Sequence, residues 1–356
     1  MKPRVIGWDI GGAHVKAVML DEQGQVVRVL QLPCALWKGL PLLEEAIEQV
    51  LRRWQIAPDA CQHAVTMTGE LVDLFENRLQ GVRAIALTVQ RDLPHATFYM
   101  ASAMQGARFT AQVVGLETHV ASMNWHASAQ CLATILADHA ILVVDIGSTT
   151  SDISYCDQQQ VLAAGWTDAE RMANQSLLYT GVVRTPLMAL GPSIGWSPSG
   201  QADSQMRHIA AEYFATAADV YRLLGELSPS HDLADTADGQ GRSARETMRR
   251  LARMVGHDVE DHDDRTWHAL AAAFKSTQLQ ALQLAIEAAI SRAHNPPMRI
   301  VGLGAGSFLV AQLAQTLQIA YQPASAFIAA GDAELNIEAE VCFPAYAVAR
   351  LWQAWH

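Results

Sequence analysis

The chain has 356 residues, half of them hydrophobic and 17% charged, with 36 acidic against 25 basic side chains and a formal net charge of -11. That length favours two domains over one core, and so apolar a composition excludes global disorder. The acidic balance argues against nonspecific binding to nucleic acid or an anionic membrane, so neither is expected as a partner. The five cysteines, Cys34, Cys61, Cys131, Cys156 and Cys342, are scattered and form no CxxC pair. Such usage fits reduced thiols in a cytoplasmic protein. The opening Met1-Lys2-Pro3-Arg4 leads into a strand-like run, and no apolar stretch approaches the roughly 18 residues of a membrane span, so no export signal or anchor is expected.

In chain order, strands are predicted at Val5 to Ile10, Val15 to Leu20 and Val26 to Leu32, joined by turns that read as hairpins. Apolar residues at Leu43, Ile47, Val50, Leu51 and Trp54 predict an amphipathic helix over Pro41 to Trp54, and His63 to Thr68 reads as a strand. The pattern then restarts. His139 to Ile146 is an apolar run suited to a strand buried on both faces, followed by a second strand, a polar turn at Asp157 to Gln160, and Val161 to Ala164. Helices are expected at Ala211 to Leu224 and Trp267 to Arg292, separated by a polar stretch, Ser228 to Arg242, and an acid and histidine cluster. A strand at Met298 to Leu303, a tight loop, a helix at Phe308 to Leu317 and a last helix at Ala345 to Trp355 complete the chain.

Two segments carry the same device about 136 residues apart: Asp9-Ile10-Gly11-Gly12-Ala13-His14-Val15-Lys16 and Asp145-Ile146-Gly147-Ser148-Thr149-Thr150-Ser151-Asp152. Glycine and small residues after a strand let backbone amides approach an anion closely, and successive amides in such a turn form a concave anion site. Phosphate is the natural guest. An aspartate at the strand end makes sense there if it holds a divalent cation, usually through water, or orients a reacting group. Either copy alone reads equally well as an ordinary β-turn; the repetition, and a third glycine loop at Gly302, Gly304, Gly306 and Ser307 between a strand and a helix, favour the functional reading. That third loop lacks GxGxxG spacing, which argues against a nicotinamide dehydrogenase.

The three loops resemble the phosphate and adenosine loops of the superfamily of acetate and sugar kinases, heat-shock cognate ATPases and actin. Asp-Ile-Gly-Ser-Thr-Thr-Ser-Asp-Ile is most similar to the hydantoinase A and oxoprolinase group. Leu178 to Pro186, Phe214 to Tyr221, Arg250 to Gly256 and Thr68-Gly69-Glu70-Leu71 resemble the tetrahydromethanopterin-linked one-carbon pathway proteins related to the methanofuran-biosynthesis synthase. The resemblance implies a two-domain α/β, actin-like (ribonuclease H-like) fold with an interdomain cleft. Residues 1–138 and 336–356 would form one domain and 139–335 the other. It also implies a cytoplasmic transferase that joins an aminomethylfuran diphosphate to the phenol of a γ-glutamyltyramine-like acceptor and releases diphosphate, with magnesium as cofactor. A homodimer is left open. An ATP-dependent kinase or hydantoinase-like hydrolase, with ATP as ligand, and a non-catalytic nucleotide-binding protein are the alternatives.

For that chemistry the expected phosphate-binding groups lie at Gly11, Gly12, Ala13, His14, Gly147, Ser148, Thr149 and Thr150, assisted by Lys16, by a magnesium ion near Asp9 and Asp145, and by Arg184 as a forked clamp, for which a structural salt bridge is the equal alternative. The third loop would contribute Gly302, Gly304, Gly306 and Ser307. Glu70, Asp152 and Asp168 are unranked candidates for the base that takes a phenolic proton. His14 departs from the small or hydroxylated residue usual in the superfamily, which counts against simple ATP hydrolysis. The run Asp258 to Asp264 reads better as a solvated loop entering a helix than as a metal site. Trp37, Trp125 and Trp166 are candidates for stacking on an aromatic substrate, with packing the more ordinary role.

Overall fold

A computed structural model describes residues 4–198 and 205–356; the first three residues of the opening lie outside them. In chain order the first part runs through β1 (Val5–Ile10), β2 (His14–Leu20), β3 (Val26–Pro33), α1 (Pro41–Trp54), β4 (Gln62–Met67), α2 (Arg78–Asp92), β5 (Ala96–Ser102), β6 (Gly106–Thr110), α3 (Glu117–Val120) and α4 (Asn124–Ile135). The middle follows with β7 (Ile141–Ile146), β8 (Ser151–Asp157), β9 (Gln160–Val161), α5 (Asp168–Ala173), β10 (Leu177–Leu178), β11 (Ser193–Gly195), β12 (Met206–His208), α6 (Ala217–Leu223), α7 (Ala244–Met254) and α8 (Asp264–Arg292). The end comprises β13 (Arg299–Leu303), α9 (Ser307–Thr316), β14 (Ala320–Pro323), α10 (Ala333–Val341) and α11 (Phe343–Trp355). Among the described residues no helix is long and apolar enough to cross a membrane.

The chain divides into two compact units: Met1–Val143 with Ser154–Trp166 and Gln322–His356, and Val144–Ile153 with Thr167–Tyr321. The first holds a six-stranded mixed sheet, order β3-β2-β1-β4-β5-β6. Its β1 is antiparallel to β2, with Asp9 opposite Lys16, and parallel to β4, with Asp9 opposite Thr66. Ile6, Trp8 and Ile10 on one face of β1 join a core with Leu43, Ile47 and Val50 of α1 and Val82, Ile85 and Val89 of α2. Each such side chain contributes about 1.5–3 kcal/mol on burial. On the other face α11 comes so close that a β-carbon at Gly7 would collide with the Ala345 carbonyl. Sandwiched this way, β1 is buried throughout, and Asp9 lies on the Gly7 face because strand side chains alternate.

Trp8 Nε1 donates to His63 Nδ1 at 3.1 Å, and His63 Nε2 lies 2.7 Å from the Pro58 carbonyl. Since the first nitrogen accepts, the second carries the proton and donates. Burial holds the His63 imidazole below its ordinary pKa, so it stays neutral. All five cysteines are free and buried, and burial pushes the Cys34 thiol up to about 11, which leaves it unreactive.

In the second unit the sheet order is β10-β8-β7-β13-β14, with β9 on β8. The strand bearing Asp145, β7, is again central, with its sequence neighbour on one side and a crossover strand on the other, as β1 is between β2 and β4. The 29-residue α8 buries Trp267, Leu270, Ala271, Phe274, Gln278, Leu282, Ala285, Ile286 and Ala289 along one stripe.

Several predicted bounds change. The helix expected over Ala211 to Leu224 begins only at Ala217, because Thr216 caps it: the Asp219 carboxylate accepts from the Thr216 amide at 3.1 Å, closing a capping box. Val161 to Ala164 forms a strand only at its first residue, in β9. The polar stretch before α7 is held by ion pairs, Asp232 to Arg222 at 2.7 Å and Asp238 to Arg250 at 3.0 Å. In the acid and histidine run, Asp263 caps α8 by accepting from the Thr266 amide at 3.0 Å, and Asp261 pairs with His257 at 3.0 Å. These are helix-entry roles.

Candidate functional site

The two Asp-Ile-Gly segments are built the same way. After β1, the Gly11 amide donates to the His14 carbonyl at 2.9 Å; after β7, the Gly147 amide donates to the Thr150 carbonyl at the same 2.9 Å. Each turn is braced from behind by a neighbouring segment of its own unit. In the first, the Leu36 and Cys34 amides bond the Gly12 and Ala13 carbonyls at 3.1 and 2.8 Å. In the second, the amides of Gly181, Val182, Val183 and Arg184 bond the carbonyls of Thr149, Gly147 and, twice, Ser148 at 2.8–3.1 Å.

Bracing of this kind decides the polarity of the turns. With their carbonyl oxygens engaged, the negative ends of the peptide dipoles are taken, and among the described residues the amides of Gly12, Ala13, Ser148, Thr149 and Thr150 donate to no protein acceptor. Clustered free amides attract an anion. Hydroxyls of Ser148 and Thr149, 3.5 Å apart, add further donors to the second turn.

Close packing makes the second brace unforgiving. A β-carbon at Gly181 would strike the Ser148 carbonyl group and the Thr149 amide nitrogen, so no other residue fits. The third glycine loop backs the same strand end. Gly306 donates to the Ile146 carbonyl at 2.8 Å, and Gly304, at φ +82, presses against the Asp145 carboxylate and the Ile146 carbonyl. Gly302 lies within β13, and Ser307 opens α9.

In the first unit Lys16 Nζ lies 4.0 Å from Asp9 Oδ2 and donates to the Val341 carbonyl at the end of α10 at 3.0 Å. Glu70, 1% exposed, follows β4; its neighbour Gly69 packs on the Gly11 backbone, where an added β-carbon would come to 3.3 Å. The Ser122 hydroxyl donates to Glu70 Oε1 at 2.5 Å from a residue held at φ 52. A non-glycine residue in that region is unusual and costs backbone strain of order 1 kcal/mol or more. His14 begins β2, opposite Pro33.

In the second unit the Asp152 carboxylate meets Arg171 at 2.7 Å, and Arg171, 2% exposed, also donates to the Ser176 carbonyl at 3.1 Å. Burial pushes the Asp152 carboxyl up, and the guanidinium works against that push. Asp168 lies in the first turn of α5, which Thr167 caps. Arg184 is exposed, but its amide is part of the brace. Trp125 is buried and forms a ring cluster with His126 and Trp166, whereas Trp37 is 42% exposed and directly follows Leu36, the residue that braces Gly12.

Within each unit, an aspartate at the end of the central strand, Asp9 in the first and Asp145 in the second, precedes a glycine turn, and a carboxylate is the hard oxygen ligand that magnesium accepts. No group of three or more His, Cys, Asp or Glu side chains that could cage a metal is found among the described residues.

The hydantoinase/oxoprolinase family profile matches residues 62–330. The chain belongs to the hydantoinase/oxoprolinase family. Over 304 residues, 85% of this chain and 87% of the relative, it is 27% identical to the (4-{4-[2-(gamma-L-glutamylamino)ethyl]phenoxymethyl}furan-2-yl)methanamine synthase of Methanocaldococcus jannaschii. A protein of the same name from Methanococcus vannielii is 31% identical over 122 residues, 34% of this chain and 52% of the relative. An acetone carboxylase, solved without nucleotide in work on ATP-dependent acetone carboxylation, aligns with 98% of this chain and 70% of its own at TM-score 0.56 and 11% identity. The fold of this family member is mixed α/β with two mixed sheets, and it resembles that of the carboxylase.

The glycines of all three loops were legible in the sequence. Arg171, Ser122 and the bracing role of Gly181 were not, because each acts through a partner far along the chain. An arginine on a short helix or a serine in a loop carries no mark of the carboxylate it will meet.

Proposed function

We propose that this family member forms an aryl ether by joining a furanylmethyl carbon, activated as its diphosphate, to the phenol of a γ-glutamyltyramine-like acceptor. The observation that carries this reading is the 27% identity over 85% of the chain to a synthase whose name specifies a phenoxymethylfuran linkage. The paired turns support it, since a reaction that expels diphosphate needs donors placed for the charge that develops on the leaving oxygens.

In this reading the phenol oxygen bonds to the furanylmethyl carbon as the bond from that carbon to the diphosphate oxygen breaks. The electron pair leaves with the diphosphate, and the phenolic proton passes to a base. The electron-rich furan shares the positive charge at the carbon. Taken unit by unit, the turn amides of Gly12 and Ala13 in the first, and those of Ser148, Thr149 and Thr150 in the second, are donors suited to phosphoryl oxygens. Magnesium, when bound near Asp9 or Asp145, would neutralise part of the departing charge.

Glu70 is the base we favour among the three candidates. Asp152 is committed to Arg171 in a buried ion pair, and Asp168 sits in the capped first turn of α5. Glu70 is buried beside the Gly11 turn with one carboxylate oxygen fixed by Ser122. A phenol, with an unperturbed pKa of about 10, needs such help at neutral pH.

Incubation of the protein and magnesium with the furan diphosphate and γ-glutamyltyramine tests the proposal by mass spectrometry of the products. The ether together with pyrophosphate supports it. ADP formed from ATP in a parallel reaction, with no ether, would instead favour the kinase or hydrolase reading that the actin-like fold keeps in view. Glu70→Gln should lower the rate of ether formation by about 100-fold or more.

A further inference from the structure

Gln278 lies in the buried stripe of α8, between Phe274 and Leu282, where every other buried position is apolar. At 1% exposure its amide cannot be left without partners, since an unsatisfied buried amide costs free energy that a leucine there would not. Its Nε2 donates to the carbonyls of Thr180 and Gly181 at 3.2 and 3.1 Å, and its Oε1 accepts from the Tyr221 hydroxyl of α6 at 2.6 Å.

The orientation of this amide is forced. Tyr221 has one proton to give and gives it to Oε1, whereas a flipped amide would turn its own carbonyl oxygen towards two others. The Ser151 hydroxyl completes the Thr180 carbonyl at 2.7 Å. Thr180 and Gly181 open the segment whose amides, from Gly181 to Arg184, hold the carbonyls of Gly147, Ser148 and Thr149. The Gly181 amide also donates to the Thr185 hydroxyl at 2.8 Å, so both ends of this peptide tract are fastened.

We propose that Gln278, oriented by Tyr221, is a positioning residue for the second phosphate turn: it fixes Thr180 and Gly181, and through them keeps the amides of Ser148, Thr149 and Thr150 turned towards the phosphate. The inference rests on reading that turn as a phosphate cradle. It places the control of phosphate affinity in a residue on a distant helix that touches no substrate.

Gln278→Met preserves length and much of the volume while removing every hydrogen bond, and Tyr221→Phe leaves the amide in place but frees it to rotate. Calorimetric titration with magnesium pyrophosphate should show binding weakened about ten-fold in Gln278→Met and by a smaller factor in Tyr221→Phe. In the coupling assay KM for the diphosphate should rise by a similar factor with kcat much less affected. Amide hydrogen exchange in the ligand-free protein should be faster across 147–150 and 181–184 in both variants, by more than any change in global stability explains. Unchanged pyrophosphate affinity and unchanged local exchange, with only a lowered Tm, would reduce Gln278 to a structural role and overturn the proposal. If the wild-type protein binds no pyrophosphate, the reading of the turn fails, and the exchange data alone decide whether Gln278 holds the brace. Should Gln278→Met fail to fold, the same measurements on Tyr221→Phe decide it.

Discussion

A methyl group is enough to test the geometry around Gly181. Its α-carbon packs on the Ser148 carbonyl group, so Gly181→Ala must push the brace away from the turn it holds. Overpacking of this kind costs about 1–3 kcal/mol. Pyrophosphate affinity should drop about ten-fold or more alongside a lower Tm, and calorimetry with thermal denaturation checks both. His63 offers a test of a different kind. Its imidazole is held below the ordinary value of 6.5, mainly by burial, so the unfolded chain binds a proton that the folded one refuses. Stability from this group is therefore complete above pH 6.5 and is lost as the pH falls through the lower folded value. His63→Gln should flatten that part of the curve of unfolding free energy against pH; an unaltered slope would contradict the assignment.

Among the elements, those with strong periodicity were readable from the sequence and those fixed by tertiary contacts were not. The helix at Pro41–Trp54 appears at its predicted bounds because its apolar stripe is regular and proline suits the first turn. By contrast α2, α4 and α7 were not anticipated, and α6 starts later than expected because Thr216 and Asp219 close a capping box. In α7 the charged residues that look solvent-facing include Arg250, which is fully buried. It bonds Asp219 at 2.8 Å and Asp238 at 3.0 Å, and donates to the Gly241 carbonyl at 3.0 Å. Removing Arg250 takes away its charged bonds to Asp219, Asp238 and the Gly241 carbonyl at once, leaving Asp219 to Arg222 at 2.7 Å and Asp238 to Arg249 at 3.2 Å. Arg250→Leu should accordingly destabilise by about 3 kcal/mol or more in denaturant unfolding, whereas the exposed pair Arg245–Glu260 should be worth far less.

At the scale of the whole molecule, duplication is the most legible feature. Two Asp-Ile-Gly segments end central strands of two mixed sheets, and the hydrogen bond that closes one turn recurs at the same length in the other. What the sequence could not reveal is how the turns are backed, because Cys34 and Leu36 for one, and Gly181 to Arg184 for the other, are ordinary residues until folding brings their amides to bear. The glycines mark where a backbone can approach an anion, whereas the braces determine which way its dipoles point. Amide-resolved hydrogen exchange with and without magnesium pyrophosphate tests this construction most directly. Protection should appear on ligand addition at Gly12 and Ala13 and at Ser148, Thr149 and Thr150; unchanged exchange at all five in the folded, ligand-saturated protein would contradict it.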